Sequence, residues 1–142
     1  TEWFGVVATA DVDLNGVVFS AGTSRFAFES EDCTPVARGA HLVFARTALA
    51  ATNGGLPAVD FVQTSIALPN TNGALTLTAG GVLLDRVTWA GTVSGRSRSL
   101  RVGPGAPDVR NDVAANWCDA LTAYGPATNL NSGTPGDVNV CP

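Results

Sequence analysis

Residues 74 to 89 constrain the fold more than any other stretch of the chain. Ala74-Leu75-Thr76-Leu77-Thr78 alternates apolar and polar residues, which puts the leucines on one face of a strand and the threonines on the other. Ala79-Gly80-Gly81 is a glycine-containing reversal into Val82 to Trp89. The whole stretch reads as a β-hairpin with one buried face.

Similar signals recur on both sides of it. Trp3, Phe4, Val6 and Val7 form an apolar run within Glu2 to Ala8, and Asp11 to Asp13 introduces a second strand that ends in Val17, Val18 and Phe19. Arg25-Phe26-Ala27-Phe28 carries aromatics two apart, as a half-buried strand requires, and His41 to Arg46 reads as a largely buried strand. Thr47 to Pro57 is a loop. Strand signals resume at Asp60-Phe61-Val62 and Ile66-Ala67-Leu68, and a last strand is expected over Ser97 to Val102. From 103 to 116 the chain reads as loop, with Pro104 and Pro107 blocking regular pairing. Trp117 to Ala120 is a short anchor before a C-terminal segment of turn chemistry. No internal repeat or linker interrupts the pattern, so residues 1 to 142 are expected to form one domain.

Composition agrees with many short strands and tight turns. The chain is 45% hydrophobic and only 14% charged, with 16 Gly and 8 Pro, a mix too apolar for a disordered chain. Every basic residue is Arg, and twelve acidic residues leave a net charge of -4. That balance argues against nucleic acid and anionic membrane as partners, since both are held by clustered positive charge. No apolar run is long enough to span a bilayer. With neither Met nor a signal sequence present, the chain is expected to be a processed product or an excised domain.

Cys33, Cys118 and Cys141 allow at most one internal disulfide and one spare thiol. A Cys118–Cys141 bridge would restrain the irregular segment from 117 to 142, at about 3 kcal/mol on the chain-entropy model, and would imply an oxidising, exported location. Three buried thiols, or a pairing through Cys33, are the alternatives. No cysteine pair has metal-ligand spacing, and His41 is the lone histidine.

Taken in order, Glu2-Trp3-Phe4, Asp13-Leu14-Asn15-Gly16 and Ala37 to Arg46 resemble the lamin tail domains of bacterial surface and exported proteins. The hairpin from Leu75 to Trp89, the run Gly95-Arg96-Ser97-Arg98-Ser99 and the ending Gly133-Thr134-Pro135-Gly136 are similar to that family too. The resemblance implies an immunoglobulin-like β-sandwich. It also implies a first strand before the acidic-aromatic start, which this sequence does not include; its absence from the mature chain would leave a sheet edge open. Gly5 stands where relatives commonly carry Glu.

Catalysis finds little support. No Gly-x-Ser-x-Gly elbow and no acid-base carboxylate pair occur, so His41 is read as a strand histidine held at a sheet surface. Asp11, Asp13, Glu29, Glu31 and Asp32 form an acidic edge that could offer oxygen ligands to Ca²⁺, with a solvated edge as the plainer reading. Arg96, Arg98 and Arg101 form a stripe able to grip an anion or a partner. Asp85 falls in frame with Leu83, Val87 and Trp89, toward the core, unless a bulge at Leu83-Leu84 resets the register. Trp3, Trp89 and Trp117 are expected in the core; exposed, they would offer a sugar platform.

The expected function, implied by the resemblance, is a non-catalytic module without a cofactor. It would serve assembly or attachment of an exported protein through a protein partner or strand addition between copies. A carbohydrate- or ligand-binding module on an exported enzyme is the alternative.

Overall fold

The computed structural model describes residues 2–101, 103, 108–128 and 131–142. Period-2 alternation resolves into strands β1 (Trp3–Val7), β2 (Val12–Asp13), β3 (Val17–Ala21), β4 (Ser24–Ala27), β5 (Pro35–Val36) and β6 (His41–Ala45). After a long loop come β7 (Phe61–Val62), β8 (Asn72–Ala79), β9 (Val82–Ala90), β10 (Arg98–Leu100) and β11 (Trp117–Asp119). Two 3₁₀ turns, Asp108–Arg110 and Ala114–Asn116, are the only helical elements among the described residues. The chain is an all-β sandwich, as its sequence predicts.

One sheet has the order β1-β6-β7 and the other β4-β3-β8-β9, while β2-β5 and β10-β11 are separate two-stranded ribbons. The β8–β9 hairpin forms where the alternation places it, with Ala79 paired to Val82 across Gly80 and Gly81. Both glycines have positive φ, 55° and 81°, as the tightest hairpin turn demands. Gly73 serves a different need: a Cβ there would lie 2.6 Å from Cε2 of Trp89, whose indole folds across it and donates to the Pro69 carbonyl at 2.9 Å.

The inner faces of the two sheets meet in one apolar core. Phe4 and Phe44 come from the three-stranded sheet and Val17, Phe19 and Ala21 from β3, with Leu75, Leu77 and Ala79 packed against them from β8. All six phenylalanines of the chain gather there. Phe44 is fully buried and has the rings of the other five around it: Phe4 and Phe19 at 4.9 Å, Phe61 at 5.1 Å, Phe28 at 5.9 Å and Phe26 at 6.5 Å between centroids. The outer face of β6 is covered as well. Val43 and Ala45 have no exposed surface and pack with Leu56, Trp3, Val59 and Tyr124.

Three expectations need correction. The strand expected from Asp11 to Phe19 is broken in two by a turn at Leu14-Asn15-Gly16, where Gly16 has φ 80° and the Asp13 carboxylate accepts the Asn15 N–H at 3.0 Å. Ile66-Ala67-Leu68 is not a strand. It crosses between the sheets with Ile66 fully buried and its N–H held by Gln63 Oε1 at 2.8 Å, so burial rather than pairing explains its apolar character. The segment from 117 is irregular only beyond Asp119, because Trp117–Asp119 pairs antiparallel with Arg98–Leu100. Val102, expected to end that earlier strand, lies outside the described residues, as do Pro104 and Pro107.

Candidate functional site

β1 is an edge strand. It pairs antiparallel with β6, from Trp3 opposite Ala45 to Val7 opposite His41, and no described residue pairs with its other side. Antiparallel ladders bond alternate residues to a given neighbour. Val43 turns its N–H to the Asp60 carboxylate at 2.8 Å and its carbonyl to the Asp60 N–H at 3.0 Å, both away from β1. Leu42 and Phe44 are therefore the residues that bond β1, through Val6 and Phe4 opposite them. The N–H and C=O groups of Trp3, Gly5 and Val7 face outward along the free edge.

That edge borders a groove of about 820 Å³ that opens into the sandwich. Val6 and Phe44 line it from the core, Leu77 and Val87 from the second sheet, and Leu100 and Trp117 from the β10–β11 ribbon. The opposite flank of the sandwich is closed, since Phe28 and Phe61 meet there edge to face at 4.9 Å. The groove's rim is apolar too: Val12, Leu84 and Val138 border it while remaining 41%, 44% and 47% exposed.

No family model, curated protein or solved structure matches the chain. The groove is therefore read from its own geometry.

Its walls are fixed by long-range bonds that local sequence patterns do not announce. Trp3 Nε1 donates to the Tyr124 hydroxyl at 3.1 Å, pinning the C-terminal layer onto β1, and burial pushes the Tyr124 phenol above its ordinary pKa. Asn111 donates from Nδ2 to Asp85 at 2.8 Å, and its carbonyl accepts the Trp117 indole N–H at 2.7 Å. Asp85 shares its side of β9 with half-buried Val87 and Trp89. A bulge opposite Leu77/Thr78 turns Leu83 out of that frame, to 58% exposure. The Asp85 carboxylate also takes the Arg86 N–H at 2.7 Å, which blunts the β9 edge as a pairing surface.

The Cys118–Cys141 disulfide is present, with Cα atoms 5.8 Å apart, and Cys33 is free and exposed. The arginine stripe does not converge. Arg98 is tied to Asp119 at 3.2 Å, while Arg96 and Arg101 are exposed on either side of it. His41 opens β6, half-buried, at the groove. Each tryptophan is half-buried rather than in the core, with its indole N–H satisfied inside the fold.

The acidic edge is largely committed to backbone. Asp11 accepts the Arg38 N–H and Asp13 the Thr34 N–H, each at 2.8 Å; Glu29, Glu31 and Asp32 are exposed in the loop between β4 and β5. Nowhere among the described residues do three His, Cys, Asp or Glu side chains converge as around an ion.

Hydrogen bonds from the Asn15 and Thr34 amides hold the Asp13 carboxyl below its ordinary pKa of 3.8. A depressed carboxyl stabilises the fold above its unfolded pKa, and that contribution disappears as pH falls through the folded value. The same carboxylate pushes the Cys33 thiol up, by a hydrogen bond and by its charge, keeping the reactive thiolate scarce at neutral pH. Asp13→Asn is expected to flatten the loss of melting temperature below about pH 4 and to speed alkylation of Cys33 at pH 7. Unchanged alkylation would mean that the carboxylate does not govern the thiol.

Proposed function

We propose that this chain is a non-catalytic interaction module of a secreted or cell-surface bacterial protein, and that it assembles or attaches by accepting an extended strand along β1. The observation that carries this reading is the unpaired backbone of Trp3, Gly5 and Val7 beside an apolar groove. Such a site asks for a partner that is itself an alternating strand: its amides satisfy the free edge, and every second side chain fills the core side. Helices and glycans offer no such ladder. The resemblance to lamin tail domains supports an immunoglobulin-like sandwich, and the disulfide supports an oxidising location.

The edge can be blocked without disturbing the sheet. Gly5 points its N–H away from β6, so Gly5→Pro removes a donor only from the incoming strand, a position where proline is tolerated. The probe is an end-blocked, fluorescent nonapeptide, TVTVFVTVT, read by anisotropy. It is expected to bind the native chain saturably and the proline variant at least tenfold more weakly, at unchanged melting temperature. Equal binding to both would exclude pairing along β1.

A further inference from the structure

The recess above Gly5 identifies which strand the groove selects. Gly5 is exposed in the middle of β1, a placement that weakens a strand because glycine offers no side chain to pack and carries high unfolded-state entropy. It is not there for crowding. A Cβ built on it would meet only the Leu42 carbonyl and Trp3 Cζ3, each at an ordinary 3.8 Å. Nor does a turn require it, since its φ is not among the positive ones.

The outward-facing side chains beside it on β1 are Trp3 and Val7, both half-buried. Together they bracket a slot with an aromatic ring for one wall and a bare Cα for its floor. The residue that pairs with Gly5 on an incoming strand is a hydrogen-bonded partner, and its side chain projects onto this same face. A flat ring there covers the exposed glycine backbone and meets the Trp3 ring, the arrangement by which cross-strand aromatics compensate edge glycines.

We infer that the groove reads its partner at one position, selecting an extended strand that carries Phe, Tyr or Trp directly opposite Gly5. The inference rests on strand addition along β1 and adds the specificity of that site. Alternate residues of the strand, facing the core, need only be apolar. The aromatic is what distinguishes one strand from another.

The test compares TVTVFVTVT with TVTVAVTVT on the native chain and on Gly5→Val, whose side chain fills the slot while leaving every β1 amide in place. The native chain is expected to bind the phenylalanine peptide about tenfold more tightly than the alanine peptide, and Gly5→Val to bind the two alike. A native chain that binds both peptides equally overturns the selectivity and leaves strand addition standing. A preference that survives in Gly5→Val also overturns it, because the slot would not be its source. Failure of the native chain to bind either peptide overturns strand addition itself, and the selectivity with it.

Discussion

Phe44→Ala is expected to destabilise the domain by about 3–5 kcal/mol, the range for removing a buried phenylalanine when its surroundings cannot collapse. Collapse is hindered by the way the site is built. Phe44 is fully buried and has the five other phenylalanine rings around it, the nearest at 4.9 Å. Those rings belong to both sheets, so closing the hole would require the sheets to shift against their hydrogen-bonded registers. Against a typical total stability of about 5–15 kcal/mol, this change brings the chain close to unfolding at 37 °C. Urea titration of native and variant chains checks it, and Phe44→Leu, which keeps most of the volume, is expected to lose much less. A loss below about 1 kcal/mol would show that the cluster repacks freely.

Replacing Cys118 and Cys141 together by alanine is the second large effect, at about 3 kcal/mol for a loop of this size. The bridge spans 23 positions and closes the segment that covers the outer face of β6, where Gly136 comes close to Val43 and Gly133 to Trp3. Loss of the bridge is expected to free this layer before the sandwich opens. In native-state hydrogen exchange, amides of residues 132 to 141 should exchange on the order of 100-fold faster, while those around Phe44 accelerate only as far as the loss of global stability dictates. Uniform acceleration throughout the chain would mean that the outer layer and the sandwich unfold as one unit.

How much of this was legible in the sequence depended on how local each signal is. The β8–β9 hairpin was plain, because period-2 alternation and the Gly80-Gly81 turn are both written within a few residues of each other. Phe26 and Phe28 were placed on one face for the same reason. Ile66-Ala67-Leu68 misled, because a short apolar run reads alike whether it pairs in a sheet or crosses between two. The strand at Trp117–Asp119 was missed, since its partner at Arg98–Leu100 lies beyond a loop of prolines and polar residues. Asn111 and Tyr124 carried no signal at all: one holds Asp85 and Trp117, the other Trp3, and their roles exist only once distant segments meet. The Gly5 recess was half visible, as a glycine inside an otherwise apolar strand.

The hydrogen bond between Trp3 and Tyr124 joins residues 121 positions apart, and it bears on the order in which the molecule becomes complete. Closing so long a loop is slow, because the entropy of bringing its ends together must be overcome before any contact repays it. During synthesis β1 can meet β6 after some 40 residues have emerged, yet the roof over its outer face waits for almost the whole chain. Each newly made molecule thus passes through an interval in which β1 and β6 are paired while Val43 and Ala45, fully buried in the finished fold, are still uncovered.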